Sequence, residues 1–458
     1  MARTYETIYD TENAFDWSLI TYVYIDGVLT IEDKLLDTGF SELTFYRDGY
    51  VSSFQVRDSA ENVYNWDSKS TAYDATGAII GEYIRYDNGR YVQMNITDGV
   101  VTSTIIQFPD TGVANALTQL STIYGDGEVV RVFGSYANGV RYQDEFTDGI
   151  RDTRYWSDGS FGEIGVNAWS SITIKYDIAT NQMTDRTTYF DNGIKRSEAF
   201  DNGVATTRLD EDRDDVQDWD TIVFHYDAAG NLASKQTHND DGSSQETTYV
   251  NGIRSEDVRS DSPDAGGSYV WDGIVTRYDA TGVITSRDIF YDDGGIQHTT
   301  YVNGVRSEEV RSDSPDAGGS YVWDGIVTRY DAEGVITERD MFYDDGTVQQ
   351  TFYVDGIRDT DVRSDVDDGT GGIYAWDAIL TGYDDAGRVS VQAIFYDNAD
   401  LTAYLFDEGV RQTRLEYDKD NSDDWYLRVT DYGAAGNTVT TYATINDVPP
   451  EYSDQVFV

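Results

Sequence analysis

The chain has 458 residues with 84 acidic and 33 basic side chains, and its formal net charge of -51 predicts repulsion from nucleic acids and anionic membranes. It contains no cysteine, which excludes disulfides, thiolate nucleophiles and cysteine-ligated metals. Aromatic residues make up 14% of the chain, which favours a folded protein over the disorder that such acidity often brings.

A repeat of about 51 residues runs along the whole chain, marked by a tryptophan that recurs at nearly constant spacing. Successive marker tryptophans are separated by 49, 103, 50, 52, 52, 53 and 49 residues, and the long interval spans two repeats with Leu117 at the missing marker. Nine repeats therefore cover the chain. The markers are Trp17, Trp66, Trp169, Trp219, Trp271, Trp323, Trp376 and Trp425.

Three regions are expected along this array. Residues 1–65 are a divergent first repeat that caps the N-terminal end, and residues 66–424 are seven tandem repeats. Residues 425–458 are a shortened last repeat that caps the C-terminal end. One repeat is too thin to fold alone, so neighbouring repeats must stack on each other.

Each repeat is predicted to contain four short strands. In the sixth repeat, residues 270–278, 283–291, 296–302 and 305–311 are rich in Val, Ile, Thr and aromatic residues, and glycine-containing turns separate them. Asn-Gly and Asp-Gly supply the positive φ that tight hairpin turns require. We therefore predict an all-β fold of tandem antiparallel β-hairpin repeats, arranged as an elongated twisted array or a large ring.

The apolar residues predict one apolar, aromatic face on the hairpins and one solvated face. Tyrosine and tryptophan at constant positions are interpreted as core, with aromatic ligand binding as the alternative. The inward-facing candidates in the sixth repeat are Trp271, Ile274, Tyr278, Ile284, Phe290, Ile296, Tyr301 and Val305.

An arginine recurs just after the third turn of several repeats, at Arg254, Arg306, Arg358 and Arg411. We interpret this row as a structural ladder that pairs with acidic neighbours, and a ligand-binding row is the alternative.

Acidic loops precede several of the marker tryptophans. Aspartates that alternate with small residues in a bent loop can offer the six to eight oxygen ligands that calcium takes. The same residue types also dominate ordinary turns, so plain solvated turns are the alternative. The candidate calcium ligands are Asp210, Asp212, Asp214, Asp365, Asp367, Asp418, Asp420, Asp423 and Asp424.

Motifs typical of enzymes are missing from the sequence. The three histidines, His225, His238 and His298, fall at three different positions of the repeat. There is neither a Gly-x-Ser-x-Gly nucleophile elbow nor a glycine-rich phosphate loop. We therefore expect a protein that is not an enzyme.

The segments Tyr73-Asp-Ala-Thr-Gly77, Tyr226-Asp-Ala-Ala-Gly230 and Tyr278-Asp-Ala-Thr-Gly282 resemble the YD repeat of Rhs and teneurin proteins. The resemblance implies spirals of β-hairpins in secreted or surface-displayed shells and adhesive stalks. The repeat here is longer than that of the family, and neither a toxin domain nor the family's terminal core segment is recognisable. An open or ring-closed array therefore fits better than a closed shell.

These features predict a structural and adhesive protein of an extracellular, cell-surface or virion appendage, such as a tail fibre. Its acidic face would meet a cell-surface glycan, a protein receptor or neighbouring subunits. No apolar run approaches the length of a membrane-spanning helix, so membrane insertion is not expected. Nucleic-acid binding is not expected because of the net negative charge. The alternatives are a calcium-dependent secreted bacterial adhesin or surface-layer protein, and a carbohydrate-active enzyme on a propeller or β-helix.

Overall fold

The computed structural model describes residues 2–59, 61, 63–159, 167–262, 269–314, 321–365, 374–420, 422–433 and 436–453. Within these residues the chain forms 35 β-strands, a 3-10 turn at Ile445–Asp447 and a four-residue helix at Pro450–Ser453. The prediction of an all-β fold of tandem antiparallel hairpins is confirmed. No helix among the described residues is both long and apolar enough to cross a membrane.

The chain divides into two compact bodies, which we call the N-terminal body (Met1–Asn231) and the C-terminal body (Leu232–Val458). The N-terminal body contains the first eighteen strands. These are β1 (Arg3–Tyr9), β2 (Trp17–Ile25), β3 (Val28–Leu36), β4 (Ser41–Arg47), β5 (Tyr50–Arg57), β6 (Trp66–Tyr73), β7 (Ile79–Tyr86), β8 (Tyr91–Thr97), β9 (Val100–Gln107), β10 (Leu117–Gly125), β11 (Glu128–Tyr136), β12 (Arg141–Thr147), β13 (Ile150–Ser157), β14 (Trp169–Tyr176), β15 (Met183–Phe190), β16 (Ile194–Asp201), β17 (Val204–Asp212) and β18 (Trp219–Tyr226).

The C-terminal body contains the remaining seventeen strands. These are β19 (Leu232–Asn239), β20 (Ser244–Val250), β21 (Ile253–Ser260), β22 (Trp271–Tyr278), β23 (Ile284–Tyr291), β24 (Ile296–Val302), β25 (Val305–Ser312), β26 (Trp323–Tyr330), β27 (Ile336–Tyr343), β28 (Val348–Val354), β29 (Ile357–Ser364), β30 (Trp376–Tyr383), β31 (Val389–Tyr396), β32 (Leu401–Asp407), β33 (Val410–Tyr417), β34 (Leu427–Gly433) and β35 (Gly436–Tyr442).

Strands within each body pair antiparallel with the strands before and after them in the sequence, for example β22 with β21 and β23. Four strands make one repeat. In the sixth repeat the strands β22 to β25 match the four predicted segments to within one residue at each end. The marker tryptophan begins the first strand of most repeats, as Trp271 begins β22.

The third and fourth strands of a repeat are joined by a two-residue turn. In the sixth repeat Asn303 and Gly304 have φ values of 53° and 81°, and the flanking Val302 and Val305 are paired. A left-handed conformation at both central residues matches the twist of the strands, which is why Asn-Gly marks this turn.

The two faces of the sheet carry different side chains. In the sixth repeat Ile274, Ile289 and Arg311 lie on one face, which we call the tryptophan face because Arg311 also contacts Trp323 there. Phe290 and Ile296 form a cross-strand pair on the opposite face, which we call the phenylalanine face. Successive side chains in a strand point to opposite faces, so Phe290 cannot share a face with Ile289.

The prediction of a single apolar face is therefore wrong for this repeat. Phe290 and Ile296 were expected to point inward with Ile274, but they are 40% and 39% exposed while Ile274 is 7% exposed. A register shift sets Tyr278 against Ile284 but Arg277 against Ser286, which changes the alternation of faces in the second strand. Counting in steps of two from Ile284 therefore places Phe290 on the wrong face.

The most deeply buried apolar cluster lies near the C-terminus. Leu401, Ala403, Leu415 and Leu427 are fully or almost fully buried. The segment after β35 packs against this cluster through Val448 and Tyr452, and the Tyr417 hydroxyl donates a hydrogen bond to the Tyr452 carbonyl oxygen at 3.0 Å. Because Phe395 pairs with Leu401, the covered surface belongs to the phenylalanine face.

Truncating this cluster should destabilise the C-terminal body more than truncating the phenylalanine face elsewhere. Leu415→Ala is expected to lower the free energy of unfolding by about 2–5 kcal/mol, because it leaves a cavity in a buried site. Phe342→Ala removes a side chain that is 40% exposed and should cost less. Urea unfolding of the two variants measures the difference, and equal losses would contradict this assignment of the core.

Candidate functional site

The aspartate of the Tyr-Asp-x-x-Gly motif organises the turn between the first two strands of a repeat. The Asp279 carboxylate accepts hydrogen bonds from the backbone N–H of Thr281 at 2.8 Å and of Val283 at 3.0 Å. Gly282 completes the turn with a φ of 85°. The hydroxyl of Thr281 and these backbone donors hold the pKa of Asp279 below its usual value, since they stabilise the ionised carboxylate.

The same arrangement recurs in the described repeats that keep the motif. In each case one carboxylate oxygen of the aspartate accepts hydrogen bonds from the backbone N–H groups of the residues two and four positions further on. The carboxylates are therefore turn-forming acceptors. The other aspartates of this kind are Asp74, Asp227, Asp331 and Asp384.

A second group of aspartates closes the acidic loops that precede the marker tryptophans. Each carboxylate accepts a hydrogen bond from the backbone N–H two residues before the tryptophan, as Asp313 does from Tyr321 at 3.0 Å and Asp365 from Tyr374 at 2.8 Å. One aspartate thereby ties together the two ends of a loop. The loop-closing aspartates are Asp10, Asp58, Asp158, Asp212, Asp261, Asp313, Asp365 and Asp418.

The candidate calcium ligands of the fourth repeat do not converge. Asp210 lies in β17, where its carboxylate is 5% exposed and forms ion pairs with Arg196 and Arg208. Asp212 is a loop-closing aspartate, and the N–H of Gln217 lowers its pKa. Asp214 is exposed on the loop. The bent acidic loop predicted here is thus partly strand and partly an ordinary turn.

Asp365 closes its loop, and Asp367 lies outside the described residues. At the last acidic loop, Asp423 and Asp424 are exposed, while Asp418 is 1% exposed and accepts hydrogen bonds from the N–H groups of Ser422 at 3.1 Å and Asp423 at 2.7 Å.

The one grouping of possible metal ligands among the described residues involves this loop. Carboxylate oxygens of Asp400, Asp418 and Asp420 lie within 4.8 Å of one another. Hydrogen bonds, the first of them from the Ser422 hydroxyl, lower the pKa of Asp420. The sequence predicted Asp418 and Asp420 but missed Asp400, which belongs to the neighbouring turn between β31 and β32. Three carboxylates fit the oxygen preference of calcium.

The recurrent arginines after the third turn form a structural ladder in the C-terminal body. The guanidinium groups of Arg254, Arg306 and Arg358 lie 5.5, 5.3 and 5.3 Å from tyrosine rings of the following repeat. Arg306 also donates a hydrogen bond to the Tyr330 hydroxyl at 3.2 Å and forms an ion pair with Glu309 at 3.3 Å. The guanidinium group of Arg306 thus has a tyrosine ring, a hydroxyl and a carboxylate as partners within the chain, as the interpretation as a structural ladder predicts.

A second set of arginines occupies aromatic cages between repeats. The guanidinium carbon of Arg311 lies 5.3 Å from the Tyr291 ring, 5.4 Å from Tyr321 and 5.5 Å from Trp323. The Tyr321 and Trp323 rings stack at 4.8 Å with an angle of 16° between their planes. Such a guanidinium is attracted by the faces of the rings and bridges two repeats.

The next repeat boundary has the same cage. Arg363 lies 5.0 Å from Tyr343, 5.9 Å from Tyr374 and 5.7 Å from Trp376. An aspartate supports the outer tyrosine, because the Tyr374 hydroxyl donates a hydrogen bond to Asp345 at 2.7 Å. These rings pack between repeats. Trp323 is buried at 9% exposure, as its interpretation as core predicts, whereas the outer Tyr321 and Tyr374 are each 37% exposed.

A cleft of ≈ 470 Å³ lies at the last repeat boundary, where a further cage would be. Tyr396 and Trp425 line it together with Glu416, Arg414 and Arg428. Glu416 accepts hydrogen bonds from the Arg428 Nε and Nη2 atoms, both at 2.7 Å, and pairs with Arg414. Arg428 also lies 4.8 Å from the Trp425 ring. The sequence analysis missed this cleft. A signal was present, because Glu416 stands at a position that is arginine in the three preceding repeats, at Arg259, Arg311 and Arg363.

Comparison with known proteins leaves the family open. No known protein family matches the chain, and no curated protein matches it. Solved structures that match include a Photorhabdus luminescens Tc holotoxin pore with a mutant TccC3, at 12% identity, 94% of this chain, 24% of that chain and a TM-score of 0.18. A TcdB2–TccC3 complex matches at 13% identity over 93% of this chain and 25% of that chain, with a TM-score of 0.15. The chain spans about a quarter of the length of these structures.

The turn-forming aspartates predict a specific effect of pH. Because the pKa of Asp279 is lower in the folded protein, the stability that it contributes is present above its ordinary value of 3.8 and is lost as the pH falls below it. Asp279→Asn removes this dependence. The difference in denaturation midpoint between wild type and variant should therefore shrink as the pH is lowered from about 6 to about 2, roughly the range in which carboxyl groups titrate.

Asp292→Asn is the matched control. Burial and the neighbouring carboxylates raise the pKa of Asp292, so this substitution should stabilise the protein at neutral pH and lose its advantage in acid. The same pH trend for both variants would contradict the roles assigned to these two aspartates.

Proposed function

We propose that the chain is a non-enzymatic structural and adhesive repeat protein of an extracellular or virion appendage. The observation that carries this proposal is that the recurrent aspartate and arginine side chains make their contacts within the chain. Motif aspartates form turns, loop-closing aspartates tie loops together, and arginines fill aromatic cages or pair with acids between repeats. In a repeat built in this way, these side chains stabilise the turns and the contacts between neighbouring repeats.

The proposed partner follows from the charge balance. Even if every basic group paired with one acid, 84 minus 33 would leave 51 carboxylates without a basic partner. An excess of one sign attracts partners of the opposite sign and repels phosphate-rich ones. The surface that we propose for adhesion is therefore acidic, and its partners are a cell-surface glycan, a protein receptor or neighbouring subunits.

The kinship that we propose is with YD-repeat hairpin proteins. The turn geometry supports it, since the aspartate and the glycine of Tyr-Asp-x-x-Gly both have a defined task in the turn. Members of that family display long hairpin arrays outside the cell, which is consistent with an extracellular or virion location for this chain.

Attachment of coated beads tests the proposal. Beads carrying the full chain are incubated with immobilised bacterial envelopes and with an array of surface glycans. We expect saturable retention on at least one surface, competition by soluble chain, and weaker retention at high salt, since salt screens interactions of exposed charges. Absence of retention on every surface would contradict an adhesive role, and release of reducing sugar from the glycans would favour the carbohydrate-active enzyme instead.

A second candidate is a calcium-dependent adhesin, favoured by the convergence of Asp400, Asp418 and Asp420. If this grouping binds calcium, millimolar calcium should raise the melting temperature relative to excess EDTA, because a ligand that binds only the folded state stabilises it. Asp420→Asn should reduce the rise, whereas Asp214→Asn should leave it unchanged. Identical melts of the wild type in calcium and EDTA would exclude calcium as a structural cofactor.

A further inference from the structure

The cleft at the last repeat boundary occupies the place of an arginine-filled cage. Strand register makes the comparison direct, since Arg363 of β29 pairs with Ile379 three residues after Trp376, and Glu416 of β33 pairs with Arg428 three residues after Trp425. Glu416 therefore stands where Arg311 and Arg363 stand at the two preceding boundaries.

Other cage positions have also changed. Tyr396 is retained at the position of Tyr343, and Trp425 at that of Trp376. Asp423 replaces the outer tyrosine, which is Tyr374 in the preceding cage. The change removes one ring and the central guanidinium, and adds two carboxylates. Space equivalent to a filled cage is thereby opened to solvent as the ≈ 470 Å³ cleft.

The charges that line the cleft favour a cation. Its carboxylates belong to Asp397, Asp400, Glu416 and Asp423, and its guanidinium groups to Arg414 and Arg428, so four negative groups face two positive ones. Both guanidinium groups are already bound to Glu416. The Asp400 carboxylate accepts hydrogen bonds from the Lys419 N–H at 2.9 Å and from the Asn398 side-chain amide at 2.7 Å. The exposed carboxylates of Asp397 and Asp423 are therefore the ones that face a ligand.

One aromatic ring of the cleft also lacks its cation. At the two preceding boundaries a guanidinium lies 5.3 Å from Tyr291 and 5.0 Å from Tyr343. Among the residues that the structure describes, no arginine or lysine lies over Tyr396, the equivalent ring. Arg428 covers Trp425 instead, from the following strand.

We propose that this cleft binds the side chain of an arginine from a partner protein. The guanidinium takes the place that Arg311 and Arg363 fill within the chain, with its plane against Tyr396 and its N–H groups towards the carboxylate of Asp423. Arginine is favoured over lysine because a planar guanidinium stacks on rings and donates several hydrogen bonds in one plane. The inference deepens the proposed adhesive function by giving one partner contact a chemical identity, and it rests on that function only for its biological setting.

The test uses the full chain and two capped pentapeptides, Gly-Gly-Arg-Gly-Gly and the same peptide with citrulline, which keeps the shape of arginine without its charge. Binding is followed by NMR line broadening of the peptide at physiological salt. The wild-type chain should bind the arginine peptide about tenfold more tightly than the citrulline peptide. Equal affinity for both peptides would overturn the proposal.

Variants separate the cleft from the general acidity of the chain. The double variant Glu416→Arg with Asp423→Tyr rebuilds the cage and should reduce binding of the arginine peptide about tenfold. Glu246→Arg changes the charge of an exposed strand residue outside the cleft by the same amount as Glu416→Arg, and should bind as the wild type does. Equal binding by the double variant and the wild type would overturn the proposal.

A milder variant covers the case in which the double variant fails to fold. Asp423→Asn removes one exposed carboxylate of the cleft and should weaken binding of the arginine peptide while leaving the melting temperature unchanged. Unchanged affinity in this variant would overturn the proposal. Failure of the peptide test alongside retention of coated beads on cell envelopes would remove the cleft and leave the adhesive function in place.

Discussion

A β-sheet without a second layer of structure has to shield its faces with its own side chains. Among the described residues, only the segment after β35 lies over a face of the sheet, where it covers the C-terminal cluster. The principal strand contacts in each body are all between strands consecutive in the sequence. Few apolar side chains are deeply buried outside the C-terminal cluster. Long side chains that lie flat on the sheet take over this task, as Arg311 does over Tyr291 and Trp323. Arginine suits it since its stem covers apolar surface while its guanidinium contacts rings and carboxylates.

This constraint connects stability to the acidic composition. Basic residues are scarce, and the arginines of the cages and of the structural ladder form contacts between repeats. Arg306, for example, contacts Tyr330 of the following repeat and also pairs with Glu309. Many aspartates are used in turns, where backbone N–H groups stabilise the ionised carboxylate. The remaining carboxylates give the chain its excess negative charge. A protein of this kind can present an acidic surface without a large core, and the boundary at Glu416 shows how a local exchange of residues converts a structural contact into an open cleft.

Sequence periodicity predicted the strands well, because the tryptophan, tyrosine and Asn-Gly positions that mark the repeat also begin strands and form turns. It misplaced Phe290 and Ile296, since a bulge between Ile284 and Ser286 alters the alternation of faces and bulges leave little trace in composition. It could not separate loop-closing aspartates from calcium ligands, because both tasks select aspartate in short polar loops. Asp400 joins Asp418 and Asp420 through the pairing of adjacent strands, which spacing along the chain does not reveal. The cleft was readable only as a departure from the three preceding repeats, which carry arginine at the position of Glu416.

Urea unfolding of an arginine double variant tests most directly whether arginine–aromatic contacts hold successive repeats together. Arg311→Met with Arg363→Met keeps most of the apolar stem and removes both guanidinium groups from their cages. Emptying the two cages should lower the free energy of unfolding by at least about 1–2 kcal/mol, at about 0.5–1 kcal/mol for a single exposed cation–π contact in each cage. Arg47→Met, at an exposed strand end, serves as the control and should be nearly neutral. A double variant as stable as this control would contradict the account.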